Sequence, residues 1–214
     1  MTQATAFWDG IAERYAKSPI KDVEAYEYSL ERTRSYLSAE DNVLELGAGT
    51  GSTALLLAPS VARYVASDLS PKMTEIGRTK ATDQGVTNVE FIAADVSDPQ
   101  LAGASYDTVL ALNLLHLLPN LTQDLKRIHQ MVKPGGLFIS KSVCLNAKGL
   151  PLRLRLRIMK LAIPLMQMIG KAPFVRSLTI EELEREVSAA GFEIIETGNY
   201  PAAPPSRYLV ARRV

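Results

Sequence analysis

Apolar positions along this chain follow two periods that alternate. Phe7, Trp8, Ile11 and Tyr15 share one helical face, and Val23, Tyr26, Leu30 and Leu37 share another, so two helices are predicted first. The pattern then shortens. Asn42–Leu46 reads as a strand running into glycines, Ser52–Ala58 as a helix and Arg63–Ser67 as a second strand. Ser70-Pro71 is a helix start, with serine as N-cap and proline at the first helical position. Val89–Ala93 and Asp107–Leu112 are two more strands. Leu121, Leu125, Ile128 and Val132 mark a helix that stops at Lys133-Pro134-Gly135-Gly136, and Leu137–Lys141 is the fifth strand. Thr179-Ile180-Glu181-Glu182 fits a capping box, and Gly191 suits the end of that helix. Phe192–Glu196 and Tyr208–Arg212 complete the set as strands.

Repeated strand–helix alternation followed by two strands with no helix between them predicts a Rossmann-like α/β fold. It is a three-layer sandwich around a mostly parallel seven-stranded sheet with an antiparallel terminal strand. No repeat or linker interrupts the pattern, so residues 1–214 read as a single domain. Ligands of such sheets bind beyond the carboxyl ends of the strands. Functional candidates should therefore follow strands directly.

Composition narrows the function classes. Of 214 residues, 47% are hydrophobic and 22% charged, with a net charge of +1, so the chain is globular and no global charge calls for nucleic acid. One cysteine, Cys144, and two histidines exclude an internal disulfide and a thiol-rich metal cage, and no metal is expected. There is no basic segment followed by an apolar one at the N-terminus and no run of 18 uncharged apolar residues, so the expectation is a cytoplasmic protein.

The strongest motif is Val43-Leu44-Glu45-Leu46-Gly47-Ala48-Gly49-Thr50-Gly51. Glycines after a strand permit a tight turn and close approach of a ligand to the backbone. A dinucleotide fingerprint wants glycine or alanine at position 52, where Ser52 stands, and the Lys-Ser/Thr of a phosphate-binding loop is absent. Glu45 at the strand end opposes a pyrophosphate and favours a ligand carrying an amine. Asp68, ending the second strand about twenty residues beyond the glycines, has the spacing of a carboxylate that accepts ribose hydroxyls. Asp95 follows the third strand, where it can accept from an adenine amino group.

On these residues the chain resembles the class I S-adenosylmethionine (SAM)-dependent methyltransferases, especially small bacterial ones of the quinone and small-molecule type. The resemblance implies Glu45, Gly47, Gly49 and Gly51 at the methionine end of the cofactor and Asp68 at its ribose. It implies Leu69 and Met73 flanking the adenine, Asp95 and Val96 at the adenine edge, and Asn113 facing the amine. Residues 1–40 would cover the site, with Tyr15 over the methyl-bearing end. The product would be S-adenosylhomocysteine (SAH). Tyr106–Asn113 matches the fourth-strand motif but lacks the Asn/Asp-Pro-Pro-aromatic signature of enzymes that methylate base amines, which argues against DNA adenine chemistry.

Methyl transfer is an in-line displacement that asks the protein mainly for alignment and exclusion of water. His116, after the fourth strand, is the candidate general base, and Tyr15 the candidate donor to the substrate. His129 and Cys144 read as structural. The acceptor is expected to be a small apolar or amphipathic molecule. A lipid or quinone methyltransferase at a membrane surface, a small-thiol S-methyltransferase and a non-catalytic SAM-binding protein remain alternatives.

Lys141–Arg176 holds eight of the 24 basic residues and none of the 23 acidic ones. Residues 145–178 are expected to form a helical, Leu/Met-rich lid after the fifth strand. Arg153, Arg157 and Lys160 would share one face, Leu152, Leu156, Met159 and Ile163 another, with a break at Pro164. Three readings stay open: a snorkelling surface helix, a cap over the acceptor, and a membrane contact through residues 150–170.

Overall fold

The computed structural model describes residues 2–101, 103–144, 172–202 and 205–214. Two helices come first, α1 (Gln3–Ala16) and α2 (Val23–Arg34), each started by a side chain that accepts a backbone amide. Thr2 accepts from Thr5, and Asp22 accepts from Ala25. Seven strands follow: β1 (Asn42–Leu46), β2 (Arg63–Asp68), β3 (Val89–Ala93), β4 (Tyr106–Leu112), β5 (Val132–Val143), β6 (Phe192–Ala202) and β7 (Pro205–Arg213). Between them lie α3 (Ser52–Leu57), α4 (Pro71–Asp83), α5 (Leu121–Met131) and α6 (Ile180–Ala189).

The strands form one sheet in the order β3-β2-β1-β4-β5-β7-β6. β1 to β5 run parallel to one another, whereas β7 runs antiparallel to both β5 and β6. The antiparallel strand is thus last in sequence but second from the sheet edge. Side chains alternate between two cores. Leu44, Leu46, Val109 and Phe138 pack toward α5 and α6, while Val43, Tyr64, Leu110 and Ile139 pack on the opposite face with Leu30 of α2 and Leu55 of α3.

Local chemistry explains the boundaries. Ser70 caps α4 with Pro71 at its first turn, and Thr179 and Glu182 make the reciprocal capping box of α6. α5 ends at Met131, and Lys133-Pro134-Gly135-Gly136 forms a bulge inside a longer β5 rather than a turn before it: Tyr106 pairs with Val132 and Thr108 with Leu137. The expected helical lid at 145–178 lies almost wholly outside the described residues. Its last part, residues 172–178, is described and carries no helix.

Candidate cofactor site

A cavity of about 400 Å³ opens at the carboxyl ends of β1, β2, β3 and β4. It sits at the topological switch between β1 and β4, where the strand order reverses. Gly47 and Gly49 line it from β1, Asp68 and Leu69 from β2, Asp95 and Val96 from β3, and Leu112, Asn113 and Leu114 from β4. Met73 of α4 and Tyr15 of α1 close two sides.

The glycine loop fits tightly. Gly47, Gly49 and Gly51 all have positive φ, at 67°, 56° and 72°. A Cβ at Gly47 would lie 2.8 Å from Leu114, so this strand end is shaped for bare backbone at the cavity wall. Gly51 does not reach the cavity. Its missing Cβ leaves room for the Phe91 ring, which a methyl there would meet at 2.5 Å. Gly77 in α4 makes the same allowance at 2.3 Å, so Phe91 is sandwiched between two glycines. Gly51 therefore makes room for Phe91 in the packing behind the loop.

Glu45 takes a buried position. β1 alternation turns its side chain into the core, where it is 3% exposed and accepts from the Tyr64 hydroxyl at 2.8 Å. Burial pushes its pKa up to about 7, against the opposing effect of the Tyr64 hydrogen bond. It does not line the cavity. The negative charge at the wall comes instead from Asp68, Asp95 and Asp124, with Arg127 the sole cation among the described lining residues. The electrostatic argument against a pyrophosphate holds through these three carboxylates.

Asp68 is held from two sides. Its Oδ2 accepts from the Gly49 amide and its Oδ1 from the Ser70 amide, both at 2.9 Å. Burial raises its pKa, and the two amide bonds pull it back down. Each oxygen keeps a second lone pair. Asp95, exposed at the rim, gives Oδ1 to the amide and hydroxyl of Ser97 at 2.6 and 2.7 Å. Asn113 adopts a left-handed φ of 60°, a conformation asparagine tolerates better than most residues, while its amide donates to the Lys141 carbonyl at 2.6 Å.

The two catalytic candidates part company. Tyr15 lines the cavity but is 52% exposed overall. Burial of the phenol, then the charges of Asp68 and Glu45, raises its pKa, so it is a neutral hydrogen-bond donor and not a base. His116 does not line the cavity. It lies in a single helical turn at Leu115–Leu117, its carbonyl accepts from the Arg176 amide, and its buried Nδ1 has no partner among the described residues. Burial lowers its pKa. The general-base role expected of it is not supported by its position. Cys144 is fully buried and its thiol is pushed up by burial.

The sequence reading missed Asp124. It lies in the first turn of α5, 7% exposed, bonded to Arg127 Nη1 at 2.7 Å. Burial raises its pKa and nearby Asp95 adds to this, while Arg127 opposes both. Its signal was present as a carboxylate one residue before a core leucine, Leu125, but helical periodicity alone reads such a position as surface. Pro173 and Phe174, beyond the undescribed segment, also reach the cavity.

Residues 43–136 match the family model described as a methyltransferase domain. Over that stretch the chain is similar to methyltransferase domains. Among curated relatives, the methyltransferase calH of Penicillium decumbens is 26% identical over 94% of this chain and 56% of its own length. The demethylmenaquinone methyltransferase of Clavibacter sepedonicus is 36% identical over 46% of this chain and 39% of its own length. The chain thus spans about half or less of the relatives it matches. The magnesium protoporphyrin IX methyltransferase of Synechocystis, solved with bound SAM, shares the fold at a TM-score of 0.73 and 17% identity, covering 100% of this chain and 98% of its own. No helix among the described residues is long and apolar enough to cross a membrane.

Proposed function

We propose that this chain binds SAM in the strand-end cavity and directs its methyl group to a small apolar or amphipathic acceptor. The observation that carries the reading is Asp68, a buried carboxylate clamped by the Gly49 and Ser70 amides on the wall of a cavity of about 400 Å³. The donor set fits the cofactor. Gly47 and Gly49 would take the methionine end, Asp68 the ribose, Asp95 and Val96 the adenine edge, and Leu69 and Met73 the ring faces. Three wall carboxylates suit a ligand with an ammonium and a sulfonium.

SAM, when bound, supplies a methyl group already activated by its sulfonium. The chain's own residues bind, orient and exclude water. Trp8, Leu117, Leu118, Pro173 and Phe174 give the cavity an apolar flank suited to an acceptor with an apolar face. Among the described lining residues only carboxylates, Tyr15 and Arg127 titrate, and Tyr15 holds its proton. The acceptor atom is therefore one that needs no histidine base, such as a thiolate, a neutral amine or an acidic hydroxyl.

Calorimetric titration of wild type and Asp68→Ala with SAM, with NAD as control, tests the reading. Micromolar SAM binding lost in the variant supports it, and SAH release in a screen of small acceptors would extend it to turnover. Tighter binding of NAD than of SAM would sink it. SAM binding with no turnover on any acceptor would favour a non-catalytic binding protein.

A further inference from the structure

α1 lies along one wall of the cavity, contributing Trp8 and Tyr15, and the Asp9 carboxylate ties it to the start of α4. Ser70 Oγ donates to Asp9 Oδ1 at 2.5 Å, and the Lys72 amide donates to the same oxygen at 3.2 Å. Ser70 is fully buried, and its hydroxyl also accepts from the Met73 amide. Its own amide donates to Asp68 Oδ1, so a continuous chain of hydrogen bonds runs from Asp9 through Ser70 to Asp68 and on to the Gly49 amide. Asp9 follows Trp8 directly, and Met73 lines the same cavity.

We propose that Asp9 is a positioning residue, a latch that holds α1 closed against the start of α4 and so sets how long the cofactor stays bound. This rests on the cofactor reading above. The carboxylate sits where α4 exposes its first amides, a favourable place for a negative charge. Its bond to Ser70 is charge-assisted. Opening α1 costs that bond and uncovers the cavity wall that Trp8 and Tyr15 provide. Asp9 touches neither the cavity nor the reacting atoms; it acts through α1 and Ser70. Hydrophobic patterning does not mark it, because an aspartate beside Trp8 on a half-exposed helix reads as surface.

Trp8 is the only tryptophan in the chain and lies one residue from the latch, so its fluorescence reports closure. Stopped-flow release of SAH would be followed in wild type, Asp9→Asn and Asp9→Ala, with thermal midpoints measured alongside. The latch predicts release about tenfold faster in Asp9→Ala, the effect of losing one charge-assisted hydrogen bond. Association should change little. Asp9→Asn, which keeps an acceptor oxygen and fills the same space, should recover part of the slow release and serves if Asp9→Ala fails to fold. Unchanged release in both variants, with wild type binding SAH normally, overturns the latch and leaves the cofactor reading standing. A lower thermal midpoint with unchanged release reduces Asp9 to a helix cap and also overturns it. Failure of wild type to bind SAH overturns the cofactor reading itself.

Discussion

The Gly49 amide donates to Asp68 Oδ2 across 2.9 Å, joining the loop after β1 to the end of β2. The same carboxylate thus shapes the glycine loop and faces the cavity. Two substitutions separate these roles. Asp68→Asn keeps an acceptor oxygen for one amide and loses the charge. It should weaken SAM binding by about 1.5–3 kcal/mol, the range for hydrogen bonds to charged groups. Asp68→Ala removes both acceptors and should also lower the thermal midpoint. Calorimetry paired with thermal unfolding checks both; equal SAM affinity in Asp68→Asn and wild type would remove Asp68 from the site.

Glu45 makes folding depend on pH. Its pKa rises from an ordinary 4.5 to about 7 on folding. Between those values the folded chain holds a proton that the unfolded chain has lost. Stability from this group therefore falls as pH rises from about 4.5 through 7. Glu45→Gln still accepts from Tyr64 and carries no charge to bury. It should match wild type near pH 4.5 and exceed it in thermal midpoint at pH 8. Parallel pH curves for the two proteins would show that the carboxylate is not desolvated as described.

His116 should be dispensable for chemistry, since its ring lies off the cavity wall. His116→Asn is expected to keep kcat within about threefold, well short of the 10²–10⁴ associated with a general base. The pH dependence of kcat/KM should keep its shape. Loss of a neutral-range limb in the variant would restore histidine to the mechanism.

Gly51→Ala should damage the fold more than the site. The added methyl meets the Phe91 ring at 2.5 Å in a backbone of φ 72°. Phe91→Leu in the same chain should relieve the clash but not the backbone strain. Partial recovery of the thermal midpoint in the double variant, measured against both singles, is the expected result. Gly49→Ala has the contrasting outcome: its Cβ has 3.5 Å to Tyr15, so the strain of φ 56° remains, and SAM affinity should fall more than packing.

Strand positions and helix caps were legible because each rests on local chemistry. Ser70-Pro71, the Thr179–Glu182 box and the apolar strands specify their own conformation. The cavity residues after β1, β2, β3 and β4 were legible because parallel topology gathers strand ends at one place. What a motif cannot tell is which way a side chain turns. Glu45 and Gly51 fit the pattern by type, yet alternation on β1 sends one into the core and the Phe91 ring claims the space beside the other. The position of His116 off the cavity wall has a related reason: proximity to a strand end in sequence does not fix the direction of a ring after a helical turn. Asp9, Asp124 and Phe174 enter through contacts between elements far apart in the chain, which periodicity does not record.

The place of β7 between β5 and β6 bears on how the molecule is made. A ribosome delivers β5 and β6 before residues 205–213, which pair with both. Until those residues emerge, β5 has an open edge on the side away from β4, and β6 has no strand partner among the described residues. The half of the sheet built from β1 to β4 can assemble while the rest is still being translated. The nascent chain therefore passes through a stage with the cofactor-side strands paired and one bare, sticky edge, and a stall there would expose it to aggregation or to chaperones.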